Sequence, residues 1–75
     1  MKLPILSGKE VIKILSKFGF AVLDQNGSHV IMVGYKDDVK RKPVVPLHRE
    51  LDKGTLLSIL KQAGLTRQDL ENALK

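Results

Sequence analysis

The dipeptide Asn26-Gly27, set between the runs Phe20–Gln25 and Ser28–Gly34, constrains this chain more than any other feature. Both residues tolerate positive φ, which a two-residue type I′ turn needs at its central positions, so the segment is expected to form a β-hairpin. A hairpin is not stable alone and needs a further strand and a covering layer. The upstream segment supplies a cover. Ser7-Gly8-Lys9-Glu10 has capping-box spacing, Val11, Ile14, Leu15 and Phe18 recur at helical intervals, and Gly19 is placed to end the helix. Lys9, Lys13 and Lys17 step by four residues and form a basic stripe opposite the apolar one.

Downstream, Tyr35–Lys42 reads as a charged loop tip. Pro43–His48 reads as a third strand, placed on an edge by Pro43 and Pro46, whose missing N–H groups would not break a ladder there. Asp52 is an expected N-cap for a helix through Leu56, Leu57, Ile59, Leu60 and Ala63, with Gly64 as its stop. Thr66-Arg-Gln-Asp69 opens a last short helix through Leu70, Ala73 and Leu74. The expected fold class is α+β, α-β-β-β-α with a three-stranded antiparallel sheet, helices on one face and a short C-terminal helix. With 75 residues, the chain is expected to be one domain, 1–75.

If the second loop closes symmetrically about Asp38 and Val39, Gly34 faces Pro43, Ile31 faces Pro46, and His29 faces His48. Opposed residues in an antiparallel pair have Cβ atoms about 5 Å apart, so this register would set the two imidazoles side by side. Alternation then directs Val30, Met32, Val45 and Leu47 toward the helices. It leaves His29, Ile31, Val33, Val44, Pro46 and His48 on the opposite face, which is unusually apolar for one that meets water. Ile31, Val33, Val44 and Pro46 are therefore candidates for contact with another protein.

Composition narrows the chemistry. Cysteine is absent, which removes disulfides and thiolate metal sites, and no His/Asp/Glu cluster has metal-ligand spacing. No signal peptide or membrane span is apparent, and the expectation is a soluble cytoplasmic protein without metal or small-molecule cofactor. The 13 Lys and Arg against 8 Asp and Glu give a net charge of +5, which favours a polyanionic partner. Imidazole acid–base chemistry remains. A histidine can deprotonate the ribose 2′-OH of RNA, while cations stabilise the charge that develops on the phosphate. Lys36, Lys40, Arg41 and Lys42, with Lys9, Lys13 and Lys17, are the candidate phosphate contacts. A non-catalytic RNA-binding module and a protein-interaction domain remain as alternatives, and Ser28 is read as shaping the turn.

Three strings change the weights: Gly27-Ser28-His29, Val45-Pro46-Leu47-His48, and Lys53 to Leu65 (KGTLLSILKQAGL), with Ser7-Gly8-Lys9-Glu10-Val11 and Gly19-Phe20 in support. In order and spacing they resemble the HicA (YcfA-like) toxins of toxin–antitoxin pairs, over essentially the whole chain. The resemblance implies a double-stranded-RNA-binding-domain-like fold and an mRNA interferase activity with His29 as the catalytic residue. It also implies a HicB-like antitoxin that masks the site. His48 is the candidate helper to His29.

Overall fold

A computed structural model describes residues 2–75. Its elements are α1 (Gly8–Lys17), β1 (Ala21–Asn26), β2 (His29–Lys36), β3 (Val39–Arg41), β4 (Val44–Pro46), α2 (Lys53–Ala63) and α3 (Arg67–Ala73). The fold is α+β, three helices and an antiparallel sheet in the expected order.

The helices begin where the sequence places them. The Ser7 N–H donates to Glu10 Oε1 at 2.9 Å and the Glu10 N–H donates to Ser7 Oγ at 3.1 Å, which completes the capping box of α1. Asp52 caps α2 by accepting the Thr55 N–H at 2.7 Å, and Thr66 and Asp69 form a second capping box at α3. Gly64, at φ 74°, ends α2 in the left-handed region. Val11, Ile14 and Leu15 of α1 and Leu56, Ile59, Leu60 and Ala63 of α2 are buried together with Val30, Met32 and Val45 of the sheet. Both helices therefore cover the face that alternation assigned to the core. No buried polar or charged residue occurs among the described residues.

The first hairpin turns one residue later than expected. Asn26 pairs with His29, so Gly27 and Ser28 form the turn, and of these only Gly27 has positive φ, at 58°. One left-handed residue at the first central position is the requirement of a type II′ turn, which glycine meets directly. β1 carries a bulge between Val22 and Asp24, where Leu23 is the extra residue. All six residues of β1 are exposed.

The expected loop 35–42 is a second tight hairpin. Asp37 and Asp38 adopt φ of 54° and 64°, the two left-handed positions of a type I′ turn, and β3 pairs back on β2 with Lys36 facing Val39 and Gly34 facing Arg41. β4 continues the same register on the same side of β2, with Ile31 facing Val44 and His29 facing Pro46. β3 and β4 are thus two halves of one edge, split at Pro43. The Met32 N–H donates to the Pro43 carbonyl at 2.9 Å, but proline has no N–H to return the bond. Pro43 therefore does interrupt the ladder, whereas the Pro46 nitrogen faces away from β2, since its neighbour Leu47 donates inward to Ser28 O at 2.6 Å. The outward N–H of Val44 is taken up by Gln62 Oε1 of α2 at 3.0 Å.

The register corrects the expected pairing: His29 lies opposite Pro46, and His48 is two residues farther along. The hinge of the hairpin is Asp37-Asp38, one position earlier than assumed. A displacement of one position at the turn changes each pair by two residues, an even number, so every side chain keeps its face.

Candidate functional site

His29 is the first residue of β2, the central strand, and is exposed. It pairs with Asn26 of β1, and on the other edge its neighbours Ser28 and Val30 are held by Leu47 and Val45. The turn before it is braced as well. Gln25 Nε2 donates to Gly27 O at 3.2 Å, and the Ser28 carbonyl accepts from Leu47. These bonds leave Ser28 with the turn-shaping part the sequence suggests and fix the Cα–Cβ direction of His29 while its ring stays in solvent.

His48 is exposed in the segment between β4 and α2, and its carbonyl accepts the Gly8 N–H at 2.9 Å. His48 follows β4 at the end of the sheet where His29 begins β2, yet the two histidines are not an opposed pair. The Thr55 backbone N–H, first among several causes, holds the Asp52 carboxyl below the usual carboxylate range, and nearby His48 adds the smallest effect. His48 thus sits within electrostatic reach of the α2 N-cap.

The face away from the helices runs along β2 as His29, Ile31, Val33 and Tyr35, and along the edge as Pro46, Val44, Lys42 and Lys40. Ile31, Val33 and Val44 are half-buried and none of them packs against the core cluster. Pro46 is buried, so of the four candidate protein contacts it offers the least surface. β1 adds Asp24 and Asn26, opposite Ile31 and His29, on its far side.

The cations expected to act together are divided. Lys40 and Lys42 are exposed on this outer face, whereas Lys36 and Arg41 point to the other side and lie against Gly64 at the C-terminus of α2. There they meet the negative end of the helix dipole. Arg41 Nε is buried with no hydrogen-bond partner. Lys36 also helps to keep the Asp69 carboxyl low, after the larger effect of the Thr66 backbone N–H. On α1, Lys9, Lys13 and Lys17 are all exposed. α1 starts beside His48 and ends at α3, where Lys17 Nζ donates to Ala73 O at 3.2 Å. Of these three, Lys9 is therefore the one nearest His48, while Lys13 and Lys17 line a groove of about 270 Å³ against Ala73, Leu74 and Lys75.

Tyr35, Val22 and Leu23 are exposed on the sheet and were not among the expected site residues. For Tyr35 a signal was present, since it stands six positions from His29 and strand alternation returns it to the same face. The position of Leu23 depends on the bulge, which nothing in the run Phe20–Gln25 announces.

Among the described residues, no group of three or more His, Cys, Asp or Glu is placed to hold a metal ion, and no helix is long and apolar enough to cross a membrane. Comparison with curated proteins and with solved structures finds no match. A family model described as the HicA toxin of bacterial toxin–antitoxin systems matches residues 8–65, from the first residue of α1 to the end of the α2 cap. The span takes in Gly27-Ser28-His29, the whole sheet and His48, and the chain belongs to the HicA toxin family.

Proposed function

We propose that this toxin is a metal-independent endoribonuclease that cleaves mRNA, with His29 as general acid/base, and that a HicB-like antitoxin neutralises it by covering the outer sheet face. The observation that carries the reading is the setting of His29: an exposed imidazole on the central strand, whose segment is paired on both edges, on the face the helices leave open. The Gly-Ser-His motif lies inside the family match.

The chemistry needs little machinery. Neutral imidazole removes the ribose 2′ proton, O2′ attacks the adjacent phosphorus, and the bond to the 5′ oxygen breaks as that oxygen gains a proton. The products are a 2′,3′-cyclic phosphate and a 5′-hydroxyl end, and DNA is spared because it lacks the 2′-OH. His48 is the group proposed to protonate the leaving oxygen. What supports this role is its exposure two residues beyond Pro46, the residue paired with His29. Lys40 and Lys42 on the outer face and Lys9 near His48 are the best-placed phosphate contacts. Lys13 and Lys17 extend the stripe away from His29, whereas Lys36 and Arg41, turned to the α2 side, are the least favourably placed of the candidates.

The antitoxin contact rests on the apolar middle of the same face, Ile31, Val33 and Val44, with Pro46 at its margin. Induced expression of the wild type beside His29→Ala, following growth and total mRNA, tests the proposal. Growth arrest with mRNA loss in the wild type alone is expected. Intact mRNA and equal growth in both cultures refute it.

A further inference from the structure

Tyr35 is 66 % exposed and pairs across the strands with Lys40, so both side chains stand on the outer face. Continuing the register through the Met32–Pro43 hydrogen bond sets Lys42 opposite Val33, again on that face and again exposed. At the end of the sheet far from His29, one aromatic ring thus stands beside two exposed lysines of the neighbouring edge, Lys40 directly opposite and Lys42 diagonal to it, with Val33 next along its own strand. Burial does not explain the ring, which contributes nothing to the core cluster.

We propose that this end of the sheet binds single-stranded RNA, with an unpaired base stacked on Tyr35 and flanking phosphates held by Lys40 and Lys42. Stacking on an aromatic platform beside a cationic track is how proteins hold single strands without reading sequence, because every base has a π-face. A duplex offers no such surface, since its bases already stack on one another, and its phosphates alone would reach the lysines. Charge separates this occupant from a protein one at the same place. The apolar patch of Ile31, Val33 and Val44 gives way to Lys40 and Lys42 just where the aromatic ring stands. The two cations facing the other way, Lys36 and Arg41, are already engaged against α2 and take no part.

Six residues along a strand separate His29 from Tyr35, about 20 Å at the usual rise. A strand anchored on Tyr35 therefore runs over Ile31 and Val33 for a few nucleotides before it reaches the imidazole. Only this alignment rests on the ribonuclease reading of His29; the binding site itself stands on Tyr35, Lys40 and Lys42.

Binding is best measured in the His29→Ala chain, so that no RNA is lost to cleavage. The probe is a fluorescently labelled, unstructured oligoribonucleotide, alone and annealed to its complement, followed by anisotropy. Adding Tyr35→Ala should weaken single-strand binding roughly 5- to 150-fold, the usual loss of one base–aromatic stack, while Tyr35→Phe keeps it. Lys40→Ala with Lys42→Ala should reduce the salt slope for the single strand by about 1.4, two phosphates at 0.7 each. The duplex should bind more weakly and show no dependence on Tyr35. Unchanged affinity in Tyr35→Ala, an equal loss in Tyr35→Phe, or a duplex that shares the loss overturns the proposal, and unchanged affinity leaves Tyr35 to protein contact. If the His29 chain cleaves nothing while Tyr35-dependent binding persists, the catalytic reading fails and this one stands. Cleavage that needs His29 with binding indifferent to Tyr35 is the reverse.

Discussion

Replacing Gly8 by alanine should cost this protein a large part of its stability, although alanine is the better helix former. A Cβ on Gly8 would collide with the Pro46 carbonyl oxygen and come within 3.0 Å of Leu47 Cα. Both are backbone atoms, so no rotamer change can make room. α1 would have to lift from β4 and lose the 2.9 Å bond from the Gly8 N–H to His48 O. Overpacking of this kind costs about 1–3 kcal/mol, and an orphaned buried backbone group costs about 1–3 kcal/mol more. The helix propensity of alanine returns no more than about 1 kcal/mol. The net loss is about 1–5 kcal/mol, against a total of about 4–11 kcal/mol for a domain of this size. Gly54 near the start of α2 is the control. Its nearest atom is Asp52 Oδ1 at 3.5 Å, an ordinary contact, so Gly54→Ala should be neutral or stabilising by up to about 1 kcal/mol. In urea unfolding with an m-value near 1 kcal/mol/M, the Gly8→Ala midpoint should fall by about 1 M or more, toward loss of the folded state, while that of Gly54→Ala holds or rises. A Gly8→Ala midpoint equal to that of the wild type would show that α1 does not approach β4 as closely as this.

The second hairpin is open to improvement: Asp37 and Asp38 hold two left-handed positions with adjacent like charges. The double change Asp37→Asn, Asp38→Gly should raise the melting temperature by several degrees, about 1 kcal/mol in a domain this small, and a lowered value would refute the turn assignment. Asp52 and Asp69 both titrate below the usual carboxylate range in the folded state, Asp52 chiefly through the Thr55 N–H and Asp69 chiefly through the Thr66 N–H. A depressed folded value means that their stabilisation is fully present above the unfolded pKa and is lost as pH falls through the folded one, so acid should weaken the fold below about pH 4. Asp52→Asn with Asp69→Asn should flatten that acid limb in a series of urea midpoints from pH 7 to pH 2; an unchanged limb assigns it to other carboxylates.

What could be read from the sequence and what could not follow from the periods involved. The three helices were visible because their caps are local: Ser7 with Glu10, Asp52 with Thr55, and Thr66 with Asp69 are each three residues apart. The faces of β2 were visible because burial alternates residue by residue, and Val30 and Met32 point inward in any even register. Which residue of the partner strand stood opposite His29 was not visible. It depends on where the chain turns between Lys36 and Val39, and charged residues fill every position from Lys36 to Lys42 except Val39. Asp37 and Asp38 are not the residues first expected to hold positive φ, although aspartate tolerates it better than most side chains. The outer face was therefore identified correctly and the pairing of His29 with His48 was not. Lys36 and Arg41 could also have been separated from Lys40 and Lys42 by alternation, had the segment been read as strand instead of loop.

The dimensions of the molecule bear on how a site of this kind can be silenced. The Cα extents are 30 × 30 × 19 Å, and the open sheet face runs about 20 Å along β2 from His29 to Tyr35. A specific, stable protein contact buries about 800 Å² on each partner. That is about a sixth of the 4871 Å² total surface, and it is comparable to the whole projected area of a 30 × 30 Å side. A partner that docks on Ile31, Val33 and Val44, in the middle of the open sheet face, therefore cannot make a standard contact without covering His29 at one end and Tyr35 at the other. With His29 as the proposed catalytic group, such a contact would inhibit by occlusion, with no conformational change in the toxin. RNA and antitoxin should then compete for the same face, so that saturating RNA raises the apparent antitoxin Kd in proportion to RNA concentration. Simultaneous binding at full affinity would place the antitoxin on the helical side instead.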